Sequence, residues 1–280
     1  MRALFLIPGD AVSQLQSLPA VAACADQLGF AMQVACAPEV AGVWKLLASV
    51  EKVLPFSFEK ATLADWTNLL GCVREPDFQA CINLARGRQV DLMLSMSHIP
   101  NRIAAGGFSA TTTVTPTAGG WPAQALEAYL RPIGVGLNAA AYRLQLPARS
   151  LEQAAAGLPA GEGPLLLLAA AGGAGDWPAE QWHALPERIR QRLSGLRHRL
   201  LPAAGAAGTL ERAALVASAD VVLASDPLTV ELALLCGVPL VALGRTGDSL
   251  PTRDGVSGVG EADRLAALDL DTVLQALGLG

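Results

Sequence analysis

The stretch VVLASDPLTVELALLCGVPLVAL, which runs from Val221 to Leu243, decides how we interpret the fold. One apolar run ends at Ser225 and Asp226, Pro227 opens a longer apolar run, and Gly237 separates it from a third. Proline fits the first helical position because its missing N–H would have no partner there. The pattern predicts a strand, an acidic turn, a helix and a second strand, as in a parallel α/β sheet.

The same alternation of short apolar runs and longer helical patterns extends in both directions from this segment. Pro19 lies inside the first helical pattern and could begin a new helix after an irregular turn. Before residue 138 we predict strands at Arg2–Ile7, Met32–Ala35, Lys52–Phe56 and Asp91–Ser95, and helices at Ser13–Leu28, ended by Gly29, and Trp121–Leu130. After residue 163 we predict strands at Pro164–Ala169, His198–Pro202, Val221–Ala224 and Pro239–Leu243, and helices at Pro178–Leu193, Leu210–Ala217 and Leu228–Cys236.

The chain length and composition indicate two lobes of ordinary domain size. The 280 residues are 52% hydrophobic and 16% charged, so both lobes can bury a core. An Ala-rich stretch with scattered Pro and Gly, residues 138–163, predicts the boundary, which we place between lobes 1–150 and 151–280. Ligands of such folds bind at the carboxyl ends of the strands, so we expect a site in a cleft between the lobes.

Charge and cysteine content restrict the partners and the compartment. The net charge is −5 and the basic residues are scattered, which argues against a nucleic-acid partner. The five cysteines form no CxxC pair, a usage typical of a reducing compartment. The apolar start is too short for a signal peptide, so we expect a cytoplasmic protein, with peripheral contact with the inner membrane left open.

The first candidate for chemistry is Asp10, which follows Gly9 directly after the predicted first strand. A carboxylate at this edge of the sheet could accept a proton from an attacking hydroxyl. Aspartate is also a favoured helix cap, and position alone does not separate the two roles.

The second candidate is the sequence AAAGGAGDWPAEQW, residues 169–182, where a buried strand opens into a glycine-rich loop that contains Gly173 and Gly175. Such a loop lets backbone N–H groups approach phosphate oxygens at the start of a helix. The loop is neither a Walker motif nor a dinucleotide fingerprint, so an ordinary turn is the alternative.

The third candidate lies in the segment from Val221 to Leu243. We expect Asp226, Thr229 and Glu231 in the first turn of its helix, where they could hold a ribose hydroxyl or a phosphate. A plain cap at Asp226 and a carboxylate paired with the helix dipole at Glu231 are the alternatives.

We predict no metal site and no cofactor. Asp269 and Asp271 have the DxD spacing of some metal-binding transferases, but they precede a helical pattern and are better explained as a cap. His98, His183 and His198 show no ligand spacing. No motif indicates a covalent nucleophile.

Three motifs in this order resemble glycosyltransferase family nine, the ADP-heptose:lipopolysaccharide heptosyltransferases. The match spans most of the chain. The motifs are IPGDAVSQLQSLPAVAACADQLG from Ile7, GGAGDWPAEQW from Gly172, and LERAALVASADVVLASDPLTVELALLCGVPLVALGRTG from Leu210.

The resemblance implies an α/β protein of two Rossmann-like, doubly wound lobes that face a cleft, the GT-B type. It implies an acceptor-side lobe at 1–150, a nucleotide-sugar donor lobe at 151–280, and metal-independent transfer with inversion. Asp10 would be the general base. The donor-binding residues would be Gly173, Gly175, Asp226, Thr229, Glu231, Arg245 and Thr246.

The sequence departs from the family pattern at the donor motif. Pro227 and Leu228 stand where the family has small residues, and Glu231 stands where it has histidine. Gly175 and Asp176 replace a lysine before Trp177. These changes remove positive charge near the expected diphosphate, and Arg245 could compensate because a guanidinium binds phosphate well.

Three functions follow as hypotheses. The first is an inverting glycosyltransferase that moves a heptose-like sugar from a nucleotide diphosphate to a cell-envelope glycan or lipid-linked acceptor. The second is a degenerate homologue that binds or scaffolds without turnover. The third is another two-lobed α/β enzyme, such as a nucleotide-sugar epimerase.

Overall fold

The computed structural model describes residues 1–75, 77–203 and 208–279. The chain divides into two compact units, Met1–Ala139 and Ala140–Gly280. The boundary that we predicted after residue 150 instead falls inside a helix of the second unit, Ala148–Ala156, which packs against helix Thr209–Ala217. That packing places the start of the helix in the second unit, and a hydrogen bond of 2.9 Å from the N–H of Leu144 to the carbonyl of Leu235 ties the preceding segment to the same unit.

The first unit contains a six-stranded parallel sheet in the order β3-β2-β1-β4-β5-β6. The order reverses between β1 and β4, which lie side by side although they are far apart in sequence. Its strands are β1 (Arg2–Leu6), β2 (Ala31–Cys36), β3 (Val50–Pro55), β4 (Phe78–Asn83), β5 (Asn101–Ala104) and β6 (Thr112–Thr113). Its α-helices are α1 (Ala11–Leu28), α2 (Leu63–Arg74), α3 (Arg88–Met96), α4 (Pro122–Ala125) and α5 (Glu127–Leu130), with a 3-10 helix at Pro38–Leu46.

Two sequence predictions for this unit were wrong in detail, and a central strand was missed. Residues 91–95 lie in helix α3 and not in a strand, because Val90, Met93 and Leu94 are buried at helical spacing while Leu92 is exposed. The helix predicted at Trp121–Leu130 is divided into α4 and α5. The strand β4, which forms the centre of the sheet with β1, was not predicted.

Helix α1 runs without interruption from Ala11 to Leu28 and contains Pro19, so no new helix begins at the proline. Gly29 ends the helix in the left-handed conformation, with φ 65°, and its N–H bonds the carbonyl of Ala25. The predicted role of this glycine is therefore confirmed.

The second unit contains a five-stranded parallel sheet in the order β11-β10-β9-β7-β8, and this order reverses between β7 and β9. Its strands are β7 (Leu165–Ala169), β8 (Arg197–Leu200), β9 (Val221–Ala224), β10 (Leu240–Leu243) and β11 (Val256–Val259). Its α-helices are α6 (Ala148–Ala156), α7 (Ala179–Arg190), α8 (Thr209–Ala217), α9 (Pro227–Cys236) and α10 (Leu270–Ala276).

The segment from Val221 to Leu243 has the predicted form: strand β9, a turn, helix α9 and strand β10. Asp226 caps the helix and Gly237 ends it in the left-handed conformation, with φ 79°. Residues 228–235 of α9 are all buried, which explains why the helix shows no polar face in the sequence. In each unit the strand order reverses in the middle of the sheet, between β1 and β4 in the first and between β7 and β9 in the second. Ligands of open α/β sheets bind in the crevice at such a reversal.

Candidate functional site

The first site lies at the carboxyl end of β1, where Asp10 caps helix α1. Oδ1 of Asp10 accepts hydrogen bonds from the N–H and the hydroxyl of Ser13, both at 2.9 Å. Oδ2 makes no hydrogen bond to any described residue, and the side chain is exposed. Asp10 is therefore a helix cap whose second carboxylate oxygen remains open to a ligand.

Asp10 borders a pocket of about 340 Å³ above the ends of β1, β2 and β3. Two more carboxylates, Glu39 and Glu59, and one ammonium group, Lys60, line the same pocket. Gly9 precedes the cap with φ 98°, and a Cβ there would lie 2.7 Å from the hydroxyl oxygen of Ser13. Glycine is therefore required at this position for the turn that presents Asp10.

The glycine-rich loop of the second unit follows β7, as predicted. Gly173 has φ 96°, and both Gly173 and Gly175 border open space. The N–H groups of residues 173, 174 and 175 have no hydrogen-bond acceptor among the described residues. Three exposed, consecutive N–H donors at the carboxyl edge of the sheet can receive an anion.

Two side chains that we had not proposed as functional hold this loop. Asp176 accepts from the N–H groups of Gly172 and Trp177, both at 2.8 Å. The hydroxyl of Ser225, directly after β9, accepts from the N–H of Ala171 at 2.9 Å. Asp176 thus has a structural role in the loop, and it places negative charge beside the open donors.

Asp226 and Thr229 meet at the start of α9, as predicted, but they are buried and bonded to a third residue, Arg212. Oδ2 of Asp226 accepts from the N–H of Thr229 at 2.9 Å, from its hydroxyl in a short hydrogen bond, and from Nη2 of Arg212 at 3.2 Å. Nε of Arg212 donates to the Thr229 hydroxyl at 2.7 Å. All three residues are at most 9% exposed.

Arg212 connects this cluster to the preceding loop, because its Nη1 donates to the carbonyl of Pro202 at 2.9 Å. Burial lowers the pKa of Arg212, and the carboxylate of Asp226 opposes that effect. The sequence offered a signal that we did not use: Arg212 is a charged residue between apolar positions in LERAALVA. A buried charge on a helix implies a partner, here Asp226.

Glu231 does not lie in the first turn of α9, which was our prediction. Asp226 is the cap and Pro227 the first helical residue, so Glu231 lies in the second turn, where it is 1% exposed. Its Oε1 is 3.8 Å from Nη2 of Arg245, which follows β10. The arginine that we expected to compensate for missing positive charge is therefore paired with a carboxylate of the same unit.

Thr246, the remaining predicted donor residue, is exposed at the start of a 3-10 helix, Gly247–Ser249. Its carbonyl accepts from the N–H and the hydroxyl of Ser249, at 3.0 and 2.8 Å. Its side chain makes no hydrogen bond to the described residues. In the second unit the glycine-rich loop, α9 and the turn after β10 thus follow three neighbouring strands, β7, β9 and β10.

Asp269 of the acidic pair is a helix cap, as predicted, because it accepts from the N–H of Thr272 at 2.7 Å and from its hydroxyl at 2.8 Å. Asp271 lies in the first turn of α10, 3.7 Å from Nη2 of Arg188. Within the described residues no group of three His, Cys, Asp or Glu side chains could hold a metal ion. No helix in the described part of the chain is long and apolar enough to cross a membrane.

No protein-family model and no curated protein matches this sequence, whereas solved structures match it over nearly its whole length. A glycosyltransferase of family 9 from Veillonella parvula matches with TM-score 0.79 and 13% identity, over 99% of this chain and 96% of that one. ADP-heptose lps heptosyltransferase II of E. coli matches with TM-score 0.73 and 16% identity, over 99% and 98%. Heptosyltransferase WaaC of E. coli with ADP-2-deoxy-2-fluoro heptose matches with TM-score 0.69 and 15% identity, over 99% of both chains.

Identities this low establish a common fold, and function has to be argued from the site. The resemblance that the three motifs indicated is confirmed for the fold. The chain has the α/β fold of GT-B type, with two parallel sheets flanked by helices, that glycosyltransferase family 9 and the heptosyltransferases share.

Proposed function

We propose that the chain is a metal-independent inverting glycosyltransferase. It would move a heptose-like sugar from a nucleotide diphosphate to a cell-envelope glycan or lipid-linked acceptor. The observation that carries the proposal is Asp10, a carboxylate with one free oxygen at the edge of a pocket, in the fold of known heptosyltransferases. A nucleotide-sugar substrate also agrees with the cytoplasmic location that the cysteine content predicts.

The reaction assigned to Asp10 is general base catalysis. Its free Oδ2 accepts the proton of the acceptor hydroxyl while that oxygen forms a bond to the anomeric carbon. The bond between the anomeric carbon and the diphosphate oxygen breaks, and its electron pair leaves with the nucleotide. Because attack and departure occur on opposite faces, the anomeric configuration inverts.

The second unit supplies the groups that would hold the leaving nucleotide. The open N–H groups of residues 173–175 and the guanidinium of Arg245 can bind the phosphate oxygens. The cluster of Arg212, Asp226 and Thr229 is assigned to positioning, since its polar atoms bond to one another. Thr246 is exposed at the edge of the same site, where its hydroxyl could hydrogen-bond the nucleotide.

A transfer assay with Asp10→Asn tests the proposal. Asparagine caps helices as well as aspartate does, so the fold should be retained while general base catalysis is lost. The matched control is Asp269→Asn, the same substitution at the exposed cap of α10. A panel of nucleotide sugars, screened first by thermal shift, identifies the donor. Transfer that persists undiminished in Asp10→Asn would exclude Asp10 as the base.

A degenerate protein that binds without turnover is the second candidate. Two observations favour it: Asp176 stands in the glycine-rich loop in place of a lysine, and Glu231 is paired with Arg245. Both place negative charge where a diphosphate should bind. The absence of a thermal shift with every nucleotide and nucleotide sugar would favour this candidate over transfer.

A further inference from the structure

Three large apolar side chains are exposed together on one surface of the first unit. Leu92 and Met96 belong to helix α3, and Phe108 belongs to the loop between β5 and β6. Their exposed fractions are 51%, 42% and 67%. Single apolar residues on a protein surface are ordinary, whereas a group of large ones marks a contact with another surface.

Leu92 and Met96 are four residues apart, so they lie on the same face of α3, one turn from each other. Arg88 lies one turn before Leu92 on that face and is also exposed. The opposite face of the helix packs into the core of the first unit. The two apolar side chains therefore face solvent.

The loop that carries Phe108 is held against α3 by the residues on either side of it. The hydroxyl of Ser109 donates to Oδ1 of Asp91 at 2.6 Å. Gly107 lies so close to the same carboxylate that a Cβ there would overlap it. Asp91 directly precedes Leu92 in the helix, so the loop holds Phe108 beside the exposed face of α3.

The surface around these side chains is basic, although the chain as a whole has a net charge of −5. Residues 84–110 contain three arginines and one acidic residue, Asp91, which is 8% exposed. Arg86 and Arg88 are exposed and form no ion pair with a described carboxylate. Helix α3 begins without a side-chain cap, so its first N–H groups add partial positive charge.

An apolar surface bordered by unpaired arginines fits one kind of occupant better than another. In a symmetric dimer the same residues would lie opposite each other, and Arg86 and Arg88 would repel their counterparts. An anionic lipid surface complements both features, because its interface receives apolar side chains and its headgroups attract guanidinium groups. The net charge of −5 opposes adsorption of the chain as a whole, so attraction has to come from a local basic surface.

We propose that the exposed face of α3 and the loop at Phe108 form a docking surface for an anionic lipid bilayer. Phe108, Leu92 and Met96 enter the interface, and Arg86 and Arg88 lie at the headgroups. The contact is peripheral. It does not depend on sugar transfer, and it applies equally to a protein that binds without turnover.

Co-sedimentation of the full chain with lipid vesicles tests the proposal. We expect binding to vesicles of phosphatidylcholine and phosphatidylglycerol in equal parts, and much weaker binding to phosphatidylcholine alone. Phe108→Ala should weaken binding about tenfold, because the apolar ring no longer enters the interface. Arg86→Gln combined with Arg88→Gln should weaken it about fivefold for each charge removed, and added salt should have a similar effect. The substituted side chains are exposed, and circular dichroism will show that the fold is retained.

The matched controls lie in the second unit. Leu193→Ala changes an exposed leucine, and Arg149→Gln combined with Arg192→Gln removes the same charge from two exposed positions. Both controls should bind as the wild type does. The proposal is overturned if the wild type does not bind the anionic vesicles, if Phe108→Ala binds as tightly as the wild type, or if the controls lose as much binding as the variants they match.

Gel filtration distinguishes the alternative occupant. A dimer that Phe108→Ala dissociates would assign this surface to a contact between two copies of the chain and would also overturn the proposal. Because no transfer is measured, failure here is distinct from failure of the Asp10 experiment.

Discussion

Glu231 and Arg245 face each other in the second unit, with Oε1 of the first 3.8 Å from Nη2 of the second. The glutamate is 1% exposed, whereas 24% of the arginine side chain is exposed. The two charges attract at this distance but are too far apart for a good hydrogen bond. The arginine is therefore partly neutralised while it remains accessible to a ligand.

Replacing Glu231 with glutamine should raise the affinity for ADP. The substitution keeps the shape of the side chain and removes the charge that competes with a diphosphate for Arg245. We expect a gain of about threefold to tenfold by calorimetry, the equivalent of about 0.7–1.4 kcal/mol. Arg245→Ala should lower the affinity. The control is Glu261→Gln, which removes a carboxylate from an exposed pair with Arg264. Unchanged ADP affinity in Arg245→Ala would refute a phosphate-binding role for this residue.

Replacing Arg212 with methionine should destabilise the protein strongly. The substitution leaves the Asp226 carboxylate buried without its cation, a loss of about 3–5 kcal/mol. Adding Asp226→Asn should restore part of that loss, because it removes the unpaired charge. Urea denaturation measures both effects. Arg264→Met, at an exposed ion pair, should change stability by less than about 1 kcal/mol and serves as the control.

Replacing Gly9 with alanine should cost about 1–3 kcal/mol, because φ there is 98° and the new Cβ would press on Ser13. Displacing Ser13 would also disturb the cap at Asp10, so transfer activity should fall. Gly71→Ala is the opposite case. Gly71 lies in helix α2 with open space around it, and alanine should stabilise the helix by about 0.5–1 kcal/mol. Equal stability changes in the two variants would contradict the strained conformation at Gly9.

The cysteines should differ sharply in reactivity towards a thiol reagent at neutral pH. Cys72 is exposed, whereas burial raises the pKa of Cys24 and Cys236 to about 12. Burial also raises the pKa of Cys36, to about 11, and that of Cys81 still further. Because the thiolate is the reactive form, mass spectrometry should find Cys72 alkylated first in the native protein and all five in denaturant. Rapid labelling of Cys24 in the native state would contradict the burial of this residue in helix α1.

His198 should make the protein less stable in mild acid. Burial lowers its pKa, and the positive charge of Arg190, whose Nη2 lies 2.9 Å from Nδ1, lowers it further. The unfolded chain therefore binds a proton more readily below about pH 6.5, so stability falls as the pH drops from about 7 towards the folded pKa. His198→Gln should reduce the loss of unfolding free energy between pH 7 and pH 5.5. A His198 ring that titrates at or above the ordinary value by NMR would contradict this.

The sequence predictions that the structure confirmed depend on residues close together in the chain. The Pro227 start of α9, the Gly29 stop of α1 and the cap at Asp269 depend on one or two neighbouring residues. The failures have non-local causes. Residues 91–95 lie in a helix because Val90, Met93 and Leu94 pack into one core cluster at helical spacing, which a five-residue apolar run cannot show.

The sequence by itself determined the class of fold, the position of Asp10 after the first strand and the form of the segment from Val221 to Leu243. Each of these depends on periodicity, on a cap or on a glycine, which act within a few residues. Only the tertiary structure decided which polar side chains meet: Arg212 with Asp226, Glu231 with Arg245, and Asp91 with Ser109. These partners are 14 to 18 residues apart in sequence. The parallel sheet and its helices bring them together, and burial of the partners then makes each pairing necessary.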